Sequence, residues 1–114
     1  MKVAITGSRG LNPINIEKYI TYGTDVIITG GACGVDKCVR EYAEKKGIEH
    51  IEILPQYDRY GKAAPLIRNE QIVRMADGAI ALWDGKSRGT AHTIKLCIKY
   101  GVKIKVFTLP PCQK

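Results

Sequence analysis

Residues 25–36 read DVIITGGACGVD, and this stretch decides the fold. Its first five residues are a near-continuous apolar, β-branched run, the pattern of a strand covered on both faces. Gly30, Gly31 and Gly34 then interrupt the run, and Val35-Asp36 opens a helical period that continues through Val39, Tyr42 and Ala43 to Gly47. A strand, a glycine turn and a helix in direct succession make a parallel β-α unit.

The same order repeats on either side. Upstream, KVAIT at 2–6 predicts a first strand, followed by Gly7-Ser8-Arg9-Gly10. Asn12 as a cap and Pro13 in the first turn start a helix with Ile14, Ile16, Tyr19 and Ile20 on its apolar face, and Gly23 ends it. Downstream, HIEIL at 50–54 predicts a third strand stopped by Pro55. A polar and aromatic segment, 56–64, precedes a helix over about 65–75. GAIALW at 78–83 predicts a fourth strand, and DGKSRGT at 84–90 opens a helix that runs to Tyr100 and stops at Gly101. KIKVFT at 103–108 predicts a fifth strand. No repeat, linker or low-complexity segment divides the chain. The expectation is one α/β domain over 1–114: a Rossmann-like three-layer αβα fold with a five-stranded parallel sheet in the order 3-2-1-4-5, and 110–114 as a flexible tail.

Composition agrees with a globular domain, at 45% apolar and 25% charged residues in 114. No apolar run approaches the roughly 20 residues that span a bilayer. The run at 3–5 is too short for a secretory core, so a cytoplasmic protein without a membrane partner is expected. Cys33, Cys38, Cys97 and Cys112 lack CxxC spacing and a His partner pattern, so no metal site is expected. Cys38 and Cys97 fall in helical apolar patterns as reduced core thiols, and Cys33 reads as an inert small residue in its turn. The net charge of +7, from 18 basic and 11 acidic residues, points to an anionic partner, either nucleic acid or a small phosphorylated ligand.

Open parallel sheets bind ligands outside the carboxyl ends of their strands, where strand order reverses. This sequence concentrates glycines, hydroxyls and arginines at those ends: GSRG after the first strand, GGACGVD after the second, DGKSRGT after the fourth. Glycines let the backbone approach an anion, and the free N–H groups at a helix start favour negative charge. Ser8, Ser87 and Thr90 can donate hydroxyl hydrogen bonds, while Arg9 and Arg88 can grip phosphate oxygens in pairs. Neither GxGxxG nor GxxxxGK[ST] is present, which argues against a dehydrogenase and a P-loop NTPase. Tyr57 and Tyr60 are candidates for stacking on a base, and Trp83 for either stacking or core packing. His92 reads as a surface or capping residue or as one that faces the ligand.

TGSRG at 6–10, ITGGACGVD at 28–36, GKAAPLIRNEQIV at 61–73 and SRGTAHTI at 87–94 together resemble the small stand-alone YspA/YpsA-related branch of the SLOG superfamily, named for the Smf/DprA and LOG proteins. The resemblance covers nearly the whole chain, in matching order. It implies a nucleotide or nucleotide-derived ligand at the strand ends, with some members acting as sensors and others as glycosidic-bond hydrolases. By this resemblance Gly7, Ser8 and Arg9 form the first phosphate-proximal turn. Gly30, Gly31, Gly34 and Asp36 form the second, where Asp36 bonds a ribose hydroxyl or caps the helix. Arg68-Asn69 matches the ligand-facing arginine helix, and Ser87, Arg88, Gly89 and Thr90 stand where the LOG enzymes carry PGGxGT. Those enzymes continue to a catalytic glutamate, and here that position is Thr93. A threonine cannot act as a carboxylate acid/base or steady an oxocarbenium ion as a carboxylate can.

The expected function is therefore binding of a nucleotide or ADP-ribose-like ligand in a sensing or sequestering role, with no cofactor required. Two alternatives stand beside it. One is a nucleoside monophosphate phosphoribohydrolase, with Arg68 its best catalytic candidate and Asp36, Glu70 or Asp84 as substitute carboxylates. The other is DprA-like nucleic-acid binding, using Lys45, Lys46, Lys95, Lys99, Lys103 and Lys105 outside the loops. Related folds pair through helices, so a homodimer is expected by analogy.

Overall fold

A computed structural model describes residues 1–8, 16–20, 22–30 and 35–109, with Asp36 described in its backbone alone. Five strands form one all-parallel sheet: β1 (Lys2–Gly7), β2 (Val26–Thr29), β3 (Glu49–Glu52), β4 (Gly78–Trp83) and β5 (Lys103–Thr108). Their order across the sheet is β3-β2-β1-β4-β5, as expected from the β-α repeat. The described α-helices are α1 (Val35–Lys46), the single turn α2 (Tyr57–Tyr60), α3 (Ala64–Met75) and α4 (Arg88–Tyr100).

Alternation along the strands divides the core into two layers. Val3, Ile5, Ile27, Ile80 and Leu82 face α1, where they meet Val35, Val39 and Ala43. Ala4, Ile28 and Ala79 face the other way, against Ile72 and Val73 of α3 and Leu96 and Cys97 of α4. With crossovers of one hand, building outward from β1 in both directions puts the helices on opposite faces. The result is a Rossmann-like αβα sandwich.

Element bounds shift where the backbone finds other partners. β3 was expected at 50–54, but its ladder frays after Glu52, with only the Ile53 N–H still reaching the Thr29 carbonyl at 2.9 Å. Pro55, lacking an N–H, prevents further pairing. The polar and aromatic segment 56–64 holds α2 and a 3-10 turn at Gly61–Ala63. In the first crossover the described part is a 3-10 turn at Ile16–Tyr19; the helix start expected at Asn12-Pro13 and the tail at 110–114 lie outside the described residues. α4 ends as expected at Gly101, whose φ of 71° lets its N–H turn back onto the Cys97 and Ile98 carbonyls.

Both edge strands carry charge on their exposed positions, Glu49 and Glu52 on β3 and Lys103 and Lys105 on β5. Such charges discourage pairing with another chain. Cys97 is fully buried, and Cys38 is half-buried against the core. Burial pushes both thiols up from their ordinary range, and Glu41 adds to the effect at Cys38. No helix among the described residues is long and apolar enough to cross a membrane.

Candidate functional site

A cleft of about 510 Å³ opens at the carboxyl ends of β1, β2 and β4, where strand order reverses. This lies within the roughly 300–1,000 Å³ typical of small-molecule sites. The turns after β1 and β4 stand side by side there. Gly7 is in register with Leu82, the Ser8 N–H bonds the Leu82 carbonyl at 3.0 Å, and the Asp84 N–H donates to Ser8 Oγ at 3.1 Å.

That last bond corrects one expectation. Ser8 is fully buried, and its hydroxyl joins the two turns rather than facing a ligand. Two strand ends in lateral contact leave backbone donors that need an acceptor, and Ser8 provides one. Gly7 also has a structural reason. A Cβ there would lie 2.7 Å from Val35 Cβ, so a glycine is what lets α1 pack this close to β1.

The turn before α4 is set by Asp84. Its Oδ1 accepts the N–H groups of Lys86 and Ser87, each at 2.8 Å. These bonds, with a contribution from Ser8, hold the Asp84 carboxyl below the usual carboxylate range. Trp83 braces the same turn, its Nε1–H donating to the Ser87 carbonyl at 3.0 Å. Its ring is therefore a support for the turn and does not line the cleft.

The Ser87 N–H is thus engaged, which narrows the anion-facing amides to those that follow it. Ser87 makes no side-chain cap, and the first helical bond runs from the Ala91 N–H to the Ser87 carbonyl. The N–H groups at 88–90 are those that an α-helix leaves without an internal acceptor. Ser87, Gly89 and Thr90 border the cleft, whereas the exposed Arg88 side chain does not. A Cβ on Gly89 would meet nothing within 4 Å, and no positive φ requires glycine there. Thr93 is buried and donates its hydroxyl to the Gly89 carbonyl at 3.2 Å.

Opposite lies α3. Arg68 reaches across the cleft floor, donating from Nη1 to the Gly30 carbonyl and from Nε to Asn69 Oδ1 at 2.8 Å. A Cβ on Gly30 would come within 2.8 Å of Arg68 Nη1, so that glycine makes room for the guanidinium. Burial pulls the Arg68 pKa down from its ordinary value. Asn69 in turn bonds His92 of α4, with Nδ2 and Nδ1 3.2 Å apart.

The structure therefore brings Gly7, Gly30, Arg68, Asn69, Ser87, Gly89 and Thr90 to one cleft. Arg9, Gly31, Gly34 and the Asp36 side chain lie outside the described residues. Among the aromatic candidates Tyr57 lines the cleft and is 59% exposed, while Tyr60 carries Arg59 over its ring at 5.2 Å. Sequence reasoning passed over Leu54 and Leu66, both more than half exposed on the cleft wall. Leu54 follows a strand end, which is the signal that could have found it; Leu66 resembles any helical leucine until α3 is placed. Glu70 sits outside the cleft, bonded to Tyr100 at 2.8 Å, so Asp84 is the one carboxylate lining it among the described residues. No group of three His, Cys, Asp or Glu is placed to hold a metal among them.

The chain was compared with protein-family models, curated proteins and solved structures, and no match was found.

Proposed function

We propose that this cleft binds a nucleotide or nucleotide-derived, ADP-ribose-like ligand in a sensing or sequestering role, as the resemblance to the SLOG superfamily implies. The observation that carries the reading is Arg68. Its guanidinium is half-buried, fixed by two oxygens that bear no net charge, and no carboxylate stands within ion-pair distance among the described residues. Two of its five N–H groups are used, and the rest remain for the cleft. A partly desolvated cation without a counter-ion is costly, and an anionic ligand offsets that cost.

Gly89 supports the same reading. Glycine is a weaker helix former than alanine, and the fold offers no steric reason for it at this first-turn position. Its bare Cα leaves the first amides of α4 open to a phosphate. Tyr57, Leu54 and Leu66 offer the apolar surface that a base needs.

Titration calorimetry with ADP-ribose and AMP tests the proposal. Binding is expected, with Arg68→Ala weakening it about tenfold or more. Gly89→Leu should abolish it while leaving the thermal midpoint unchanged or raised. Undiminished binding to Gly89→Leu would place the phosphate turn elsewhere.

A further inference from the structure

The bonds around Asn69 have only one consistent direction. Arginine donates and never accepts, so the Asn69 atom facing Arg68 Nε is the amide oxygen. The Asn69 NH₂ is thereby turned to His92 Nδ1, and an amide nitrogen only donates. Nδ1 must accept, which means a neutral imidazole with its proton on Nε2. Protonation at Nδ1 would set two donors face to face. Turning the Asn69 amide over to relieve this would set Nδ2 against Arg68 Nε, again two donors. In either arrangement one bond of the chain is lost.

From this we infer that His92, which does not itself line the cleft, is a positioning residue for Arg68: neutral His92 holds Asn69, and Asn69 holds the guanidinium against the Gly30 carbonyl. Binding of an anionic ligand by Arg68 is thereby coupled to the proton on His92. The ligand half of this inference rests on the nucleotide-binding reading; the His92 tautomer does not.

The charges around His92 make the coupling distinctive. Arg88 and Lys95 stand one turn before and after it on α4, and Arg68 lies behind Asn69 on α3. On the sheet face packed against α4, Ala4, Ala79 and Ile104 carry no titratable group, and Asp84, in the turn before α4, gives its Oδ1 to Lys86 and Ser87. No carboxylate lies within ion-pair distance of His92 among the described residues. Charge attraction alone would make a protonated His92 strengthen anion binding. The hydrogen-bond chain demands the reverse.

The test uses the chain's two histidines, which are told apart by His50→Gln. Nitrogen-15 NMR of the free protein should show neutral His92 with its proton on Nε2. ADP-ribose is the binding probe, because its diphosphate stays ionised between about pH 5.5 and 8 and does not add a titration of its own. Affinity should fall about tenfold as His92 takes up its proton in the same sample. His92→Asn, which puts an oxygen near the Nδ1 position, should keep the high-pH affinity and lose the pH dependence. His92→Ala should bind weakly throughout. A proton on Nδ1 in the neutral form, or affinity that holds or rises on protonation, overturns the inference. The expected tautomer with no ADP-ribose binding at any pH would instead remove the ligand reading and leave the tether to Arg68 standing.

Discussion

Asp84 and Ser8 show how a polar residue in a ligand-rich loop can serve the loop first. Asp84 spends Oδ1 on two amides of its own turn, and Ser8 takes the Asp84 N–H from the neighbouring strand end. The bonds to the carboxylate favour its ionised form, so its folded pKa lies below the unfolded value of about 3.9. A group with a depressed pKa contributes stability above its unfolded value and loses it as pH falls through the folded one. An Asp84→Asn variant should therefore show a lower thermal midpoint than the parent at pH 7. The gap should close as both are titrated below about pH 4, measured by circular dichroism. A gap that widened in acid would mean that the turn does not depend on the charge.

At the scale of elements, the contact between β1 and α1 rests on Gly7 and Val35. Val35 begins α1 and presses its side chain against the bare Cα of Gly7. Gly7→Ala adds a methyl where Val35 already sits, an overpacking that costs about 1–3 kcal/mol. Val35→Ala alone leaves a cavity and destabilises by a similar order. The double variant should recover part of the loss, which denaturant unfolding of the four proteins would measure. Strict additivity would show that the two residues do not share space.

At the scale of the whole molecule, the lysines outside the loops are not gathered on one side among the described residues. Lys45 and Lys46 close α1 on one face of the sheet, Lys95 and Lys99 lie on α4 on the other, and Lys103 and Lys105 follow on β5. A duplex reader usually presents its cations along one surface, so this arrangement favours a small anion. ADP-ribose affinity should then change only a few-fold between 50 and 200 mM salt, whereas a protein neutralising six or more phosphates loses about 10³ or more. Steep salt dependence with duplex DNA at comparable affinity would restore the nucleic-acid alternative. Thr93 carries no carboxylate and Asp84, which lines the cleft, gives its Oδ1 to its own turn, and lacking a well-placed catalytic carboxylate commonly costs about 10²-fold in rate. No free base should appear from AMP, GMP, CMP or UMP over hours at high protein concentration, followed by chromatography. Turnover that vanished in Asp84→Asn would reverse that reading.

The sequence by itself determined the order of elements, the parallel sheet and the reversal between the first and fourth strands. Those follow from local periodicity and glycine turns, such as the step from DVIIT into Val35 and Val39, and from crossovers of one hand. It also pointed to the end of the sheet that holds the cleft. Which of the loop residues face that cleft was decided only by tertiary structure. Ser8 and Gly89 are both small residues of Gly-rich turns, yet one is buried between two strand ends and the other opens onto the cleft. The difference arises from neighbours 76 residues away in the chain, as with Asp84 above Ser8. The tether from Gly30 through Arg68 and Asn69 to His92 joins three elements, and its direction comes from which atoms can donate once those elements are packed.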